Sequence, residues 1–314
     1  MADIYVRPYD HGGRKTPKGL LAFALVALLL GALGWWAMAH RSQKSAPDEV
    51  VVTMESVNKQ PASAKPSAAP QPARANLQTL FSRAQSLVNS GKLFDASRLL
   101  DDVISTTTDE KLQNNALRMQ GRINVDLFLS EAPSPWKKSY VIQPGDSLDR
   151  IARRNNTTVD LIRRMNRVEG NLIYPGARLV LPTAPFMLEV DKSSRTMELL
   201  MDGKRFKRYS VGLGRFGKTP LGNFTTVVHQ TNPDWSPPSG GIVPYGDPRN
   251  VLGTRWISIQ DETRPEIKGF GIHGTADRES IGSETSNGCI RMLNEDVEEV
   301  FLFIPRGTKV VINE

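Results

Sequence analysis

The 314-residue chain is 39% hydrophobic and 23% charged, an ordinary balance for globular protein with some linker, and its length suggests two or three domains with at least one core. The formal net charge of +7 is spread along the sequence without a basic cluster or a nucleic-acid motif, so no nucleic-acid partner is expected. A single cysteine excludes an internal disulfide and fits either a reducing compartment or an exported protein that keeps its thiol free.

Residues 19–39 contain no charged side chain. A helix of that length spans about 31 Å, enough to cross a bilayer core. Arg7, Arg14, Lys15 and Lys18 precede the segment, only Arg41 and Lys44 closely follow it, and Trp35 and Trp36 suit its far interface. The positive-inside rule then places residues 1–18 in the cytoplasm and everything after Arg41 beyond the membrane. The expected localisation is a single-pass anchor in the inner (cytoplasmic) membrane, with the rest of the chain facing the periplasm or cell wall. Ala37-Met38-Ala39 also reads as a cleavage site, but the apolar run exceeds a usual signal-peptide core. Residues 40–75 are rich in Ala, Ser and Pro and read as a disordered tether.

From Leu77 the apolar residues take helical spacing: Leu77, Leu80, Phe81, Ala84, Leu87 and Val88 up to Ser90-Gly91, then Phe94 to Ile104, then Leu112, Ala116, Met119 and Ile123. The region 76–132 is therefore expected to be a short helical bundle. Its Ser-Gly-Lys break is similar to a tetratricopeptide hairpin, but fewer than two repeats fit. Its role is either to bind a protein partner or to space the domains.

After Pro133 and Pro135, residues 139–183 predict a strand, a turn at Pro144-Gly145, two short helices and a closing strand over Arg178 to Leu181, with Asp146 or Ser147 capping the first helix. This βααβ pattern resembles the LysM family. The resemblance implies a shallow groove for N-acetylglucosamine chains, carried over onto Gly145, Asp146, Ser147, Leu172 and Ile173.

Residues 186–314 read as mostly β: strands over 187–190, 197–201, 206–211, 224–229, 255–259 and 309–312, a hairpin turn at Asp202-Gly203, and one late helix that Asn294 would cap. Asn232 to Pro248, with Trp235 and Tyr245, is a long irregular loop of the sort that covers active sites. His229 ends a strand-like run and reads as a satisfied strand residue. The sole cysteine, Cys289, lies 16 residues after His273. A thiol attacks only as thiolate, which needs a base or positive potential nearby, and His273 can supply the base. Gly274, Gly282 and Gly288 open backbone N–H groups as an oxyanion hole requires. One cysteine and two separated histidines offer no ligand-pair spacing, so neither a metal nor another cofactor is expected.

His273-Gly274-Thr275, followed by Ile281-Gly282, Ser286, Gly288-Cys289-Ile290-Arg291-Met292 and Asn294, resembles the YkuD-type L,D-transpeptidases of bacterial cell walls. The resemblance extends through Gly212-Leu213-Gly214, Thr219 to Phe224 and Asn250 to Gly253. It implies a mostly β catalytic fold acting on peptidoglycan, without a cofactor. Cys289 would be the nucleophile, His273 the base, Gly274 the carbonyl that orients the imidazole, and Gly288 with Cys289 the oxyanion donors. Arg291 would contact substrate or brace the loop, and Ser286, Asn287 and Tyr245 would line the substrate site. Many family members carry a second histidine where this chain has Asn287, which leaves His273 as the sole base near the thiol. The implied activity is cross-linking through a cysteine thioester, with L,D-carboxypeptidase action and a non-catalytic peptidoglycan-binding scaffold as alternatives.

Overall fold

The computed structural model describes residues 71–266 and 268–314. The expected cytoplasmic segment 1–18, the anchor 19–39 and residues 40–70 of the tether lie outside the described residues. Among those described, no helix is long and apolar enough to cross a membrane.

Three helices come first: α1 (Gln71–Asn89), α2 (Leu93–Thr106) and α3 (Glu110–Leu129). The tether therefore ends earlier than expected, because residues 71–75 are already helical. Pro72 does not prevent this, since a proline in a first turn lacks only an N–H that would have no helical partner. Gly91 turns the chain at φ 73°. Asp109 caps α3 by accepting the N–H groups of Lys111 and Leu112. Phe81, Ala84, Ala96, Leu100, Val103 and Ala116 form the core of this bundle.

The βααβ module follows as β1 (Lys137–Val141), α4 (Leu148–Arg154), α5 (Val159–Asn166) and β2 (Arg178–Pro182). Its two strands pair antiparallel. Of the two caps offered by the sequence, Ser147 is the one used: its side chain accepts the Arg150 N–H.

The C-terminal region carries β3 (Phe186–Asp191), β4 (Thr196–Met201), β5 (Lys204–Ser210), β6 (Leu213–Gly214), β7 (Gly222–Thr231), β8 (Arg255–Asp261), β9 (Gly271–Thr275), β10 (Glu284–Ser286), β11 (Ile290–Leu293), α6 (Asn294–Phe303) and β12 (Lys309–Asn313). Eight strands form one mixed sheet in the order β11-β9-β8-β7-β12-β3-β4-β5, and β6 pairs with β10 beside it. The β4–β5 hairpin turns on Asp202 and Gly203, both at positive φ (52° and 69°), as a two-residue hairpin loop requires. Asn294 does not cap α6 as expected. Leu293 holds the cap position without a side-chain bond, and Asn294 Oδ1 instead accepts the Thr254 N–H at 3.1 Å, tying α6 to the start of β8.

Each of the three segments has a core of its own, but two of the helices also reach into the sheet's core. Val125 and Phe128 of α3 and Leu161 and Met165 of α5 enter the same cluster as Phe186, Phe206 and Phe303. Phe128 packs edge-on to Phe186 and Phe206 with ring centroids 5.7 and 5.4 Å apart. Polar ties reinforce the contact: Asn124 donates to the Phe206 carbonyl at 2.8 Å, and Thr158 donates to the Leu302 carbonyl at 2.6 Å. The bundle and the βααβ module are therefore braced against the sheet on which the cysteine lies.

Candidate active site

β9 and β11 run parallel at the sheet edge, with Ile272 opposite Ile290 and His273 opposite Arg291. Side chains alternate along a strand. Ile272, Ile290 and Met292 enter the core with Val297 of α6, while His273 and Arg291 point to the other face. Cys289, two residues before Arg291, falls on that second face. β8 adds Trp256 there, in register with His273 and with its ring centroid 6.1 Å away. The parallel pairing thus sets Cys289 and His273 on the same side of the sheet edge, each next to Trp256, despite their separation in sequence.

His273 is buried, 3% exposed. Its Nδ1 lies 2.9 Å from the Gly274 carbonyl. A carbonyl only accepts, so Nδ1 carries the proton and Nε2 is the basic nitrogen. A Cβ on Gly274 would collide with Asn294 and crowd Val297, so this glycine is required for α6 to pack against β9. Burial lowers the His273 pKa to about 4, with the Arg291 charge adding to the effect against the hydrogen bond at Gly274.

Cys289 is 6% exposed, and its thiol faces the Gly269 carbonyl at 3.6 Å. Burial pushes its pKa up to about 11, while a backbone hydrogen bond from Gly271 and the Arg291 charge act in the opposite direction. At rest the cysteine is accordingly a thiol and the histidine a neutral imidazole.

Loop geometry corrects part of the expected site. Ser286, 2% exposed, accepts the Gly288 N–H at 3.1 Å and donates to the Cys289 carbonyl at 2.6 Å. In this structure its hydroxyl is taken up in holding the loop. The Gly288 N–H is equally committed, which leaves the N–H of Cys289 as the uncommitted one of the two expected oxyanion donors. Gly288 adopts φ 127°, and a Cβ there would lie 2.8 Å from Phe270 Cε1; backbone conformation and close packing account for glycine at this position. Below it, buried Thr219 accepts the Gly214 N–H at 2.8 Å and donates to the Gly288 carbonyl at 3.1 Å.

Arg291 braces the loop by donating to Thr285 Oγ1 at 2.9 Å, and its backbone exchanges hydrogen bonds with Gly212. Asn287 is exposed, with its Oδ1 held by Arg215 at 3.1 Å. In the irregular loop, Trp235 rather than Tyr245 reaches the cysteine. Trp235 packs against the cluster of Leu252, Trp256 and Cys289, whereas Tyr245 is 44% exposed and its N–H is pinned to Asp234. Sequence reading also missed Trp256, whose Nε1 is buried without a hydrogen-bond partner among the described residues; its register opposite His273 was the only signal, and that required the strand pairing. His229, expected to be a satisfied strand residue, lies in β7 against Phe301 with ring centroids 5.2 Å apart, but its Nε2 is unpaired.

In the βααβ module, Asp146 and Ser147 are likewise occupied. Asp146 accepts from the Tyr140 hydroxyl at 2.5 Å, the Gln143 N–H at 2.9 Å and Arg154 at 3.1 Å, so its carboxylate holds the turn. The Gly145 carbonyl accepts from Arg150 at 2.6 Å. Leu172 is 68% exposed, and Ile173 packs partly on the module's core.

The site thus combines a buried cysteine and a buried histidine at the edge of a mixed sheet, the imidazole held by a backbone carbonyl and the thiol preceded by a tight glycine loop. Residues 185–312 match the model of the L,D-transpeptidase catalytic domain and residues 140–182 that of the LysM domain. The YkuD protein of Bacillus licheniformis, which carries an L,D-transpeptidase name, is 32% identical over 181 residues, covering 55% of this chain and 97% of that protein. The similarly named YqjB of Bacillus subtilis is 37% identical over 143 residues, covering 45% of this chain and 78% of its own length. Among solved structures, L,D-transpeptidase 3 of Mycobacterium tuberculosis aligns at a TM-score of 0.35 and 16% identity, covering 46% of this chain and 77% of that one. The chain belongs to the L,D-transpeptidase family and carries a LysM domain ahead of its catalytic domain.

Proposed function

We propose that this protein is an exported enzyme that cross-links peptidoglycan stems through a thioester on Cys289. The observation that carries the reading is the placement of Cys289 and His273 on one face of the β9–β11 pair, with Nδ1 of His273 tied to the Gly274 carbonyl. In the first step, His273 Nε2 takes the thiol proton while Sγ bonds the carbonyl carbon between the third and fourth stem residues. The Cys289 N–H stabilises the resulting oxyanion. Collapse expels the terminal D-alanine, whose amine receives the proton from His273, and leaves the acyl group as a thioester. An amine of a second stem then attacks, His273 again accepts a proton, and the thiol is regenerated.

Burial suits this sequence, because a thioester is exposed to hydrolysis wherever water competes with the acceptor amine. Trp235 and Trp256 supply apolar cover beside the sulfur. The LysM domain would hold glycan and raise the effective concentration of stems, and residues 19–39 would anchor the chain in the inner membrane with the enzyme beyond it.

The test incubates residues 70–314 with disaccharide-tetrapeptide muropeptides and follows products by mass spectrometry beside Cys289→Ala. Cross-linked dimers that disappear in the variant are expected. Tripeptide monomers alone would assign carboxypeptidase action, and products indifferent to the thiol would leave a binding scaffold.

A further inference from the structure

A cavity of about 900 Å³ lies between the helical bundle and the sheet, and neither Cys289 nor His273 lines it. One wall is α1 and α3, the opposite wall is β5, and the remainder comes from the segment after β9 and the start of α6. The spacing of the walls is fixed by direct packing. A Cβ on Gly121 of α3 would lie 2.7 Å from Lys207 Cγ of β5, and the buried Asn124–Phe206 hydrogen bond sits one turn further along α3.

The charge around this cavity is unbalanced. Its lining contains Arg118, Arg122, Lys207, Arg208 and Arg278 against one carboxylate, Asp296. Lys207 is neutralised by Glu299, Arg208 by Glu198 and Arg278 by Glu295, each at 2.5 Å. Arg118 meets only the neutral Asn115 amide oxygen, at 2.5 Å. Among the described residues neither Arg118 nor Arg122 forms an ion pair. These two stand four residues apart on α3 and so share a helix face, beside the apolar Phe81, Met119 and Ile281.

We propose that this cavity binds a soluble phosphate monoester, with the phosphate gripped by Arg118 and Arg122 and the organic group against Phe81, Met119 and Ile281. A monocarboxylate is satisfied by one guanidinium fork, whereas a phosphate monoester carries close to two charges and three acceptor oxygens, enough for both. The half-buried Asp296 opposes the ligand and weakens its binding. The proposal does not depend on the chemistry of Cys289.

Isothermal titration of the full-length protein at constant ionic strength tests this, with phenyl phosphate, inorganic phosphate, benzoate and phthalate as probes. Phenyl phosphate is expected to bind saturably and at least about 10-fold more tightly than benzoate or phthalate, with inorganic phosphate in between. Exchanging both arginines, Arg118→Gln with Arg122→Gln, should weaken it at least about 10-fold, Asp296→Asn should tighten it, and Cys289→Ala should leave it unchanged. The opposite responses of the arginine and aspartate variants separate lost recognition from lost folding. Equal affinity for phthalate, wild-type binding in the double variant or no saturable heat would overturn the site. Displacement of phenyl phosphate by phosphatidylcholine vesicles carrying phosphatidic acid would overturn its assignment to a soluble ligand.

Discussion

Ser286 is bonded to the carbonyl of the very residue whose thiol defines the site: its Oγ lies 2.6 Å from Cys289 O while also accepting the Gly288 N–H. One hydroxyl thus closes the loop on both sides of Gly288 and fixes where the sulfur sits. Replacing Ser286 by Ala leaves two buried backbone groups without this partner, at a cost of about 1–3 kcal/mol. The expected outcome is a lower unfolding midpoint together with a 10- to 100-fold loss in the rate of thioester formation. Single-turnover mass spectrometry reads the second effect, and a normal acylation rate in a destabilised variant would remove Ser286 from the positioning machinery.

The electrostatics of the pair predict a pH response. With burial holding His273 near 4 and Cys289 near 11, little thiolate exists at neutral pH. Alkylation of Cys289 by iodoacetamide at pH 8 should run about 100-fold slower than in the urea-unfolded chain, and should climb about tenfold per pH unit without levelling off below about pH 11. A reactive plateau reaching below pH 7 would instead identify a thiolate–imidazolium pair.

Stability follows by linkage. Folded His273 binds fewer protons than an unfolded histidine between about pH 4 and 6.5, so its contribution is complete above 6.5 and is lost as pH falls through that window. The loss at pH 5 is on the order of 2 kcal/mol. Cys289 acts oppositely, since its folded form holds the proton longer and stability declines as pH rises from about 9 to 11. Urea midpoints for wild type and His273→Gln check the acid limb, which should flatten in the variant.

Phe128 tests whether the helices and the sheet form one cooperative unit. Phe128→Ala removes a ring that meets Phe186, Phe206 and Phe303 and should cost about 3–5 kcal/mol. Calorimetry on residues 70–314 should show the whole transition shifted down. A separate early transition with the main peak unmoved would mean that the helices fold independently.

Asn287→His addresses the missing second imidazole. Asn287 is exposed and held by Arg215, so the new side chain would meet a neighbouring positive charge that disfavours its protonation. Acylation is expected to change by less than about 3-fold. A gain of 10-fold or more would show that a second imidazole shares the proton.

The sequence by itself determined most of the elements and the candidate reacting groups. Helical spacing from Leu77, the Ser147 cap, the Asp202-Gly203 hairpin and the β-rich segments all reflect local preferences that a short window carries. The lone Cys289 and the His273-Gly274-Thr275 run were legible for the same reason, because their chemistry resides in residue type. β9, which holds His273, and β11, which begins directly after Cys289, were not legible: they are short, lie among glycines, and owe their conformation to pairing with each other and, for β9, with β8. Tertiary structure alone therefore decided that His273 and Cys289 share a face, that Ser286 consumes the Gly288 N–H, and that Trp235 and Trp256 cover the sulfur. It also merged α3 and α5 into the sheet's core, since apolar periodicity reveals that a helix has a buried face but not which surface buries it.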